Sequence, residues 1–442
     1  MYTLETQQDY IKKSQLIWIV LGIGLVVRLF TLSNYGLSLT LNSDDMGYTN
    51  SAINLLKSGM LTYHNANEPT VHIMPGMPAL LAVFFMIFGS GTVGLYAAKI
   101  GMTLIGLGSI YGVYLIGKRV WNLEIGLLAS ACLALSIPQI VTDNLLLTES
   151  PATMTLIFLM YYSIRLAKEQ TMKMFYLVMV FFVLSLMFRP TIALFPLLLF
   201  VYLLVKKYPY KLMVKQAMVS IVIMLVVLGP WWVRNYVHFG DFIPLSGGSG
   251  NPLLLGTYQG YGYPNDETLD ETLARIEKEH TIHNWYERLN YQKIEADHRL
   301  DVWWETDKMS LIKSFTIEKT KLLWSFPFYW IPIFDINMNS LVIFHHASFY
   351  FAFIGMIGCF IFFRKTKYEM LFILGLLVYF TALFNLYYSF NRYNQTLMPF
   401  VFLLESIGVY TIFKLLYLSV KKVRVSHLLS RLPKQEKSNR SS

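Results

Sequence analysis

The sequence of 442 residues is poor in charge and in cysteine. Charged residues make up 14% of the chain, whereas a soluble domain carries roughly a quarter, so a soluble globular domain is excluded. The two cysteines, Cys132 and Cys359, each lie inside an apolar run, which excludes a disulfide framework and a paired-cysteine metal site. Nucleotide-binding motifs, the H-E-x-x-H motif and the G-x-S-x-G motif are also missing. Any reaction must therefore draw its energy from the substrate rather than from cytoplasmic ATP.

Long apolar runs dominate what remains. Hydrophobic residues make up 55% of the chain and the mean hydropathy is +0.46. Because an apolar run of about 18 residues can span a bilayer as a helix, we predict an all-α, polytopic membrane protein with about ten transmembrane helices. The predicted spans are 16–33, 92–117, 124–139, 150–167, 174–188, 191–205, 212–232, 341–363, 368–388 and 394–416. The apolar stretch 78–88 is too short to span and predicts an interfacial or re-entrant helix.

The basic residues predict the orientation of the chain. The formal charge is +10, which we attribute to loops facing anionic lipid rather than to a nucleic-acid partner. With both termini in the cytoplasm, each predicted internal loop is basic, whereas the short external loops carry few Lys or Arg, which is the positive-inside pattern. The internal basic residues are Lys118, Arg119, Arg165, Lys168, Lys173, Lys206, Lys207, Lys211, Lys215, Arg364, Lys365 and Lys367. The first span lacks a cleavage site and is expected to be a signal anchor in the plasma membrane.

The predicted spans divide the chain into four parts. Residues 1–232 form a transmembrane module that includes a first polar region, 34–77. Residues 233–340 form a second polar region, with a charged, helix-favouring middle at 266–300. Residues 341–418 hold the last transmembrane helices, and 419–442 form a basic cytoplasmic tail, expected to be disordered after 425. Both polar regions are predicted to be external.

Two adjacent carboxylates, Asp44 and Asp45, lie in the first polar region, in Asn42-Ser43-Asp44-Asp45-Met46-Gly47-Tyr48. They can act as a general base or hold a divalent cation. Alternatively, one of them caps a helix over 48–58. The two interpretations are compatible, since one carboxylate can cap while the other faces a cavity.

Glu149 is the second acidic candidate, at the external mouth of a predicted span and near Asp143. Ionisable groups at membrane depth are costly and usually functional. A first-turn acid that favours the helix dipole is the alternative. Together with Asp45, Glu149 is also the possible ligand pair for a metal.

Three arginines, Arg189, Arg234 and Arg392, fall at external span ends against the positive-inside trend. Arginine suits bidentate binding of phosphate, such as that of an anionic lipid. Snorkelling, or pairing with Glu149 or Asp241, is the alternative.

His64 and His72 flank a polar loop and allow a metal site, although loop histidines are more often ordinary hydrogen-bonding groups. Arg28 lies inside the first predicted span, where we expect only an intramembrane ion pair.

The order of these motifs resembles that of the GT-C membrane glycosyltransferases, specifically glycosyltransferase family 39 with the protein O-mannosyltransferases and aminoarabinose transferases. The resemblance runs from the first span to Tyr393, over most of the chain. Its elements are Asp44-Asp45-x-x-Tyr48, Pro75-Gly76-x-Pro78, Leu147-Thr148-Glu149, Arg189-Pro190, Pro230-Trp231-x-x-Arg234-Asn235 and Arg392-Tyr393.

The resemblance implies that one of the two aspartates is the catalytic base and that Glu149 is the second acid. It implies transfer of a sugar from a polyprenyl phosphate donor to a hydroxyl of a glycan, lipid or protein, with inversion and at the external face. Tyr48, His64, His72, Tyr393 and the three arginines are the expected substrate-binding residues. No cofactor beyond a possible divalent cation is expected. A lipid or sugar transporter, an oligosaccharide ligase or polymerase, and a membrane scaffold are the alternatives.

Overall fold

The computed structural model describes residues 4–265 and 267–431, and its regular secondary structure is helical throughout these residues. The first half contains α1 (Leu4–Tyr35), α2 (Asp44–Ser58), α3 (Gly76–Phe88), α4 (Thr92–Val120), α5 (Leu123–Leu135), α6 (Ile137–Thr142), α7 (Glu149–Glu169), α8 (Met172–Phe188), α9 (Phe195–Val205) and α10 (Tyr210–Phe239). The second half contains α11 (Gly250–Gly256), α12 (Leu269–Glu279), α13 (Trp285–Thr306), α14 (Lys308–Lys313), α15 (Lys319–Trp324), α16 (Met338–Phe362), α17 (Lys367–Leu386), α18 (Asn391–Asn394) and α19 (Met398–Arg431).

Six described helices are long and apolar enough to cross a membrane. They are α1, α4, α10, α16, α17 and α19, and each overlaps a predicted span. The other predicted spans coincide with α5, α7, α8 and α9, of which α5, α8 and α9 are shorter apolar helices. The polytopic all-α fold is therefore confirmed, while the count of about ten spans stays a prediction.

Prolines set two of the boundaries that the hydropathy pattern placed differently. The span predicted at 124–139 ends as α5 at Leu135, because Pro138 starts the separate short helix α6. The span predicted at 191–205 begins with a 3-10 turn at Pro190–Ile192, and α9 starts only at Phe195. Helix α3, with 13 residues, rises about 20 Å, so it is too short to span, as predicted.

Close helix contacts form the C-terminal part of the bundle. A Cβ on Gly355 of α16 would lie 1.9 Å from the carbonyl oxygen of Leu404, and one on Gly408 of α19 would lie 2.0 Å from that of Phe351. Small residues let membrane helices approach closely without a hydrophobic driving force. These two glycines therefore fix α16 against α19.

A buried ion pair joins α1 to the segment before Glu149. Arg28 and Asp143 are both fully buried, and Arg28 Nε donates to Asp143 Oδ2 at 2.8 Å. Asp143 also accepts hydrogen bonds from Gln139 and Ser150. Removing one partner of a buried pair costs about 3–5 kcal/mol, so this pair anchors the segment from α6 to α7. The intramembrane ion pair expected for Arg28 is confirmed.

The second polar region folds as helices α11 to α15, and its predicted helical middle is confirmed. Thr268 and Glu271 form a capping box at the start of α12, which fixes the N-terminus of that helix.

The prediction of a disordered tail is wrong in part, because α19 continues to Arg431. It therefore includes residues 426–431, which were expected to be disordered. The remainder of the tail, 432–442, lies outside the described residues.

Candidate active site

Asp45 anchors the loop that precedes α2. Its side chain is buried. Its carboxylate accepts hydrogen bonds from the hydroxyl of Thr40 and from the backbone N–H groups of Leu41 at 2.8 Å, Ser43 at 3.1 Å and Met46 at 3.1 Å. These bonds occupy both carboxylate oxygens. The geometry therefore assigns the local hydrogen-bonding role to Asp45, and not to Asp44 or to a side-chain cap from Ser43.

Asp44 turns the other way, toward the helices. Its side chain is 39% exposed, and its Oδ2 accepts a hydrogen bond from Arg392 Nη1 at 2.6 Å. Its Oδ1 accepts the hydroxyl of Tyr63 at 3.0 Å. Each oxygen is thus held by one donor and keeps a free lone pair, so Asp44 can still accept a proton.

Glu149 is the buried partner of two arginines. It begins α7 and its side chain is 0% exposed. Its Oε1 accepts a hydrogen bond from Arg189 Nη2 at 2.6 Å. Arg392 also donates to both of its oxygens, from Nε and, at 3.3 Å, from Nη2. Arg392 therefore bridges Glu149 and Asp44, and the pairing of arginine with Glu149 that was considered as the alternative to phosphate binding is present.

The Arg392 guanidinium is held in its charged form. Burial by itself lowers the pKa of this side chain, but Glu149 and Asp44 raise it above its ordinary value. Tyr393, the next residue, places its ring 5.6 Å from the Arg189 guanidinium and stacks on Phe384 at 4.7 Å. Two predicted binding residues, Arg189 and Tyr393, thus lie together beside the carboxylates.

Lys99 of α4 is a residue of this neighbourhood that the sequence analysis missed. Its buried ammonium donates to the carbonyl oxygen of Leu39 at 2.7 Å and to that of Asn144 at 2.8 Å. These carbonyls belong to the loops that carry Asp44 and Glu149, so Lys99 joins the two loops. A lysine inside an apolar helix is itself a signal of such a role.

Arg234 does not join the other two arginines. Its Nη1 donates to the carbonyl oxygen of Thr70 at 2.7 Å and to Asn235 Oδ1 at 3.0 Å, and its Nη2 lies 3.4 Å from the carbonyl oxygen of Leu61. The hypothesis of three converging arginines is therefore corrected to a pair, Arg189 and Arg392. Arg234 is bound to backbone carbonyls because α10 ends beside the loop of the first polar region.

His64 and His72 belong to an aromatic cluster around Tyr63. His64 stacks on Trp285 of the second polar region at 4.1 Å, and the two imidazole rings lie 4.8 Å apart. Burial lowers the pKa of His72 to about 4 and also lowers the pKa of His64. Both imidazoles are therefore neutral at neutral pH.

Tyr48 packs on Tyr63 with ring centroids 5.5 Å apart. Burial, with Asp44 adding to it, raises the pKa of Tyr48 above its ordinary value. The phenol therefore stays protonated beside the carboxylate.

The metal hypotheses find no support in the geometry. Within 4–265 and 267–431, no group of three His, Cys, Asp or Glu side chains could hold a metal ion. The proposed pair of ligands is also committed elsewhere, because Asp45 accepts loop N–H groups and Glu149 is bound by two arginines.

An apolar cleft opens beside the charged groups. Arg189 and Tyr393 line it on the side of the carboxylates, and Ile192, Phe380 and Phe384 line it toward the bundle. The cleft has a volume of about 20 Å³, which is room for about one water molecule.

The comparisons with known proteins agree with this architecture. Residues 68–233 match the family model described as dolichyl-phosphate-mannose-protein mannosyltransferase. At a significant level, no curated protein sequence matches the chain.

Two solved oligosaccharyltransferase structures share the fold. The archaeal oligosaccharyltransferase AglB from Archaeoglobus fulgidus, in complex with an inhibitory peptide and a dolichol-phosphate, gives a TM-score of 0.52 at 13% identity, over 92% of this chain and 52% of that one. The apo form of the Archaeoglobus fulgidus oligosaccharyltransferase gives 0.52 at 12% identity, over 91% and 52%. ArnT from Cupriavidus metallidurans gives 0.42 at 16% identity, over 89% and 77%.

The chain thus spans about half the length of the oligosaccharyltransferases whose fold it shares. Residues 68–233 thus resemble the dolichyl-phosphate-mannose-protein mannosyltransferase family, and the chain as a whole shares the fold of the archaeal oligosaccharyltransferase.

Proposed function

We propose that this protein transfers a sugar from a polyprenyl phosphate donor to an acceptor hydroxyl, with inversion, and that Asp44 is the general base. The observation that carries the proposal is the bridge formed by Arg392, which binds Asp44 and Glu149 at once. A partly exposed carboxylate beside fixed guanidinium groups suits a reaction in which a hydroxyl loses a proton while a phosphate leaves.

The donor phosphate would bind Arg189 and Arg392. Their bonds to Thr148, Glu149 and Asp44 use only part of each guanidinium, so N–H donors remain for a phosphate. The apolar cleft at Tyr393 would have to widen to admit the prenyl chain, since it has room for about one water molecule. The family description, which names a dolichyl phosphate donor, supports this substrate class, as does the dolichol-phosphate held by the archaeal oligosaccharyltransferase.

The transfer is a single displacement. Asp44 takes the proton of the acceptor hydroxyl as the acceptor oxygen forms a bond to the anomeric carbon. The bond from that carbon to the phosphate oxygen breaks, and its electron pair stays on the polyprenyl phosphate. Attack opposite to the leaving phosphate inverts the configuration. Arg189 and Arg392 offset the charge that grows on the phosphate, while Glu149 holds both arginines in place.

The site would lie on the external face, because the basic loops predict that the opposite end of the bundle is cytoplasmic. Acceptors reached there include cell-envelope glycans, lipids and exported proteins. A transporter is less well supported, since its ionisable groups usually lie near the midplane, whereas Asp44 begins helix α2 in the first polar region.

The test is sugar transfer by the full chain in membranes. A polyprenyl phosphate carrying a radiolabelled sugar is added to membranes with the wild-type chain or the variants D44N and S43A, and the released polyprenyl phosphate and labelled acceptor are measured. We expect D44N to lose roughly 100-fold to 10,000-fold in turnover. The S43A variant should keep its rate, because Ser43 makes no side-chain capping bond.

Full turnover in D44N would contradict the assignment of the base. Movement of the intact donor across vesicles without release of polyprenyl phosphate would support a transporter instead. A donor accepted only as an oligosaccharide would change the substrate class from a single sugar to a glycan.

A further inference from the structure

We infer that Arg234 and Tyr63 are positioning residues, which together hold the Asp44 carboxylate in its productive orientation. This inference rests on the proposed function, since it concerns the same carboxylate. It replaces the hypothesis that Arg234 binds the donor phosphate.

Arg234 binds both ends of one loop. We call residues 61–70 the Tyr63 loop; its ends are closed by the hydrogen bond from the Thr70 N–H to the Leu61 carbonyl oxygen at 2.8 Å. The guanidinium of Arg234 donates to the carbonyl oxygens of these same two residues, at 2.7 Å for Thr70 and 3.4 Å for Leu61. A planar guanidinium fork suits such two-point binding better than a lysine ammonium does.

Aromatic rings fix the guanidinium itself. It lies 5.1 Å from the ring centroid of Trp231 and 5.6 Å from that of Phe239, both on α10. The neighbouring Asn235 side chain accepts from Arg234 and donates to the carbonyl oxygen of Ile243. Arg234 is therefore a rigid part of α10 that reaches to the first polar region.

The Tyr63 loop is also fixed on the side of α2. Ser51 donates to the carbonyl oxygen of Thr62, and Asn54 donates to the Thr62 hydroxyl at 2.9 Å. A Cβ on Gly47 would lie 2.7 Å from the ring of Tyr63, so only glycine leaves room for this ring against the first turn of α2. The backbone thus directs Tyr63 to Asp44.

The bond from Tyr63 matters most when substrate arrives. In the structure, Arg392 holds one oxygen of Asp44 and Tyr63 holds the other. A donor phosphate that draws on Arg392 weakens the first contact, and the Tyr63 hydroxyl then fixes the carboxylate. Burial, with contributions from Tyr48 and Asp44, raises the pKa of Tyr63, so the phenol remains a donor rather than becoming a competing base.

Kinetics separate a positioning residue from a phosphate ligand. The experiment compares wild type, Y63F, R234Q and the double variant. The matched control is R119Q, because Arg119 is a half-exposed arginine of a loop predicted to be internal and binds Glu169. We expect R234Q to lower kcat roughly 100-fold, the loss that small misplacements at a reacting centre cause, with a nearly unchanged KM for the donor. The double variant should be no slower than R234Q alone, because the hydrogen bond from Tyr63 to Asp44 is already lost in R234Q.

A second readout does not need activity. Hydrogen exchange of the backbone N–H groups of 61–72 should accelerate in R234Q and stay as in wild type in R119Q. If wild type transfers no sugar but R234Q shows this local acceleration, the proposed function fails while the positioning role stands.

Two results would overturn the inference. One is a raised donor KM with an unchanged kcat in R234Q, which would make Arg234 a phosphate ligand. The other is independent, multiplying losses in the double variant, which would show that the two residues do not act through one contact.

Discussion

At the scale of single residues, the adjacent carboxylates of Asp44 and Asp45 point in different directions and bind different partners. Both stand in the first turn of α2, where successive side chains point about 100° apart. One therefore faces the loop and the other the bundle. The sequence allowed one carboxylate to cap a helix while the other faces a cavity, and it could not tell which residue points which way, because the direction of each side chain depends on where the helix starts.

The different hydrogen-bond partners of the two carboxylates give a prediction for Asp45. In D45N, the amide NH2 group must take the place of one carboxylate oxygen, so it faces either the N–H of Leu41 or the N–H groups of Ser43 and Met46. Hydrogen bonds to a charged group are worth about 1.5–3 kcal/mol each, so we expect a clear fall in the thermal midpoint in detergent. In D44N the midpoint should change little, because partly exposed ion pairs contribute about 0–1 kcal/mol. A D45N protein of wild-type stability that has lost all turnover would instead make Asp45 the base.

At the scale of elements, hydropathy was sufficient for the helices and insufficient for the site. Each predicted span overlaps a helix, because an apolar run in a bilayer has no other way to satisfy its backbone. The pairing of Arg392 with Asp44 joins positions 348 residues apart, and no local pattern encodes it. Likewise, nothing at Arg234 distinguished a phosphate ligand from a ligand of backbone carbonyls.

The end of α17 shows how the second polar region positions Arg392. The buried ammonium of Lys319 donates to the carbonyl oxygens of Asn385 at 3.1 Å and Tyr387 at 2.8 Å. Gln259 forms two hydrogen bonds with the backbone of Ser389, at 2.7 and 2.9 Å. A cation at the last carbonyls of a helix is favourable. The segment that leads to Arg392 is thus held by residues from α15 and the loop after α11.

The burial of Lys319 predicts a dependence of stability on pH. Burial lowers the pKa of Lys319 from its ordinary 10.5 to about 7. Between these values the unfolded chain binds more protons than the folded chain, so the contribution of this group to stability rises with pH in that window. We expect the thermal midpoint of wild type to gain more between pH 7 and pH 9 than that of K319M.

The control for this prediction is K313M, which removes an exposed lysine from the same part of the second polar region. It should keep the wild-type dependence on pH. Equal slopes in wild type and K319M would contradict the assigned proton equilibrium.

At the scale of the whole molecule, two sets of ion pairs mark the parts of the chain that are predicted to lie on opposite sides of the membrane. The carboxylates and arginines of the candidate site join the first polar region to α18. The pairs Arg119–Glu169 and Lys206–Glu369 join the loops predicted to be internal. Helix α16, with 25 residues, rises about 37 Å, which exceeds the roughly 30 Å of a hydrocarbon core.

The orientation of this bundle can be tested by cysteine labelling. Asn67 and Lys365 are both exposed, and they lie in loops predicted to face opposite sides of the membrane. Cys132 and Cys359 are first replaced by alanine, so that N67C or K365C is the single cysteine. In intact cells, a membrane-impermeant maleimide should label N67C and leave K365C unlabelled, because the basic loops remain in the cytoplasm. Both should label after the membrane is permeabilised, which controls for accessibility. Labelling of K365C alone in intact cells would invert the predicted topology and move the sugar-transfer site to the cytoplasmic face.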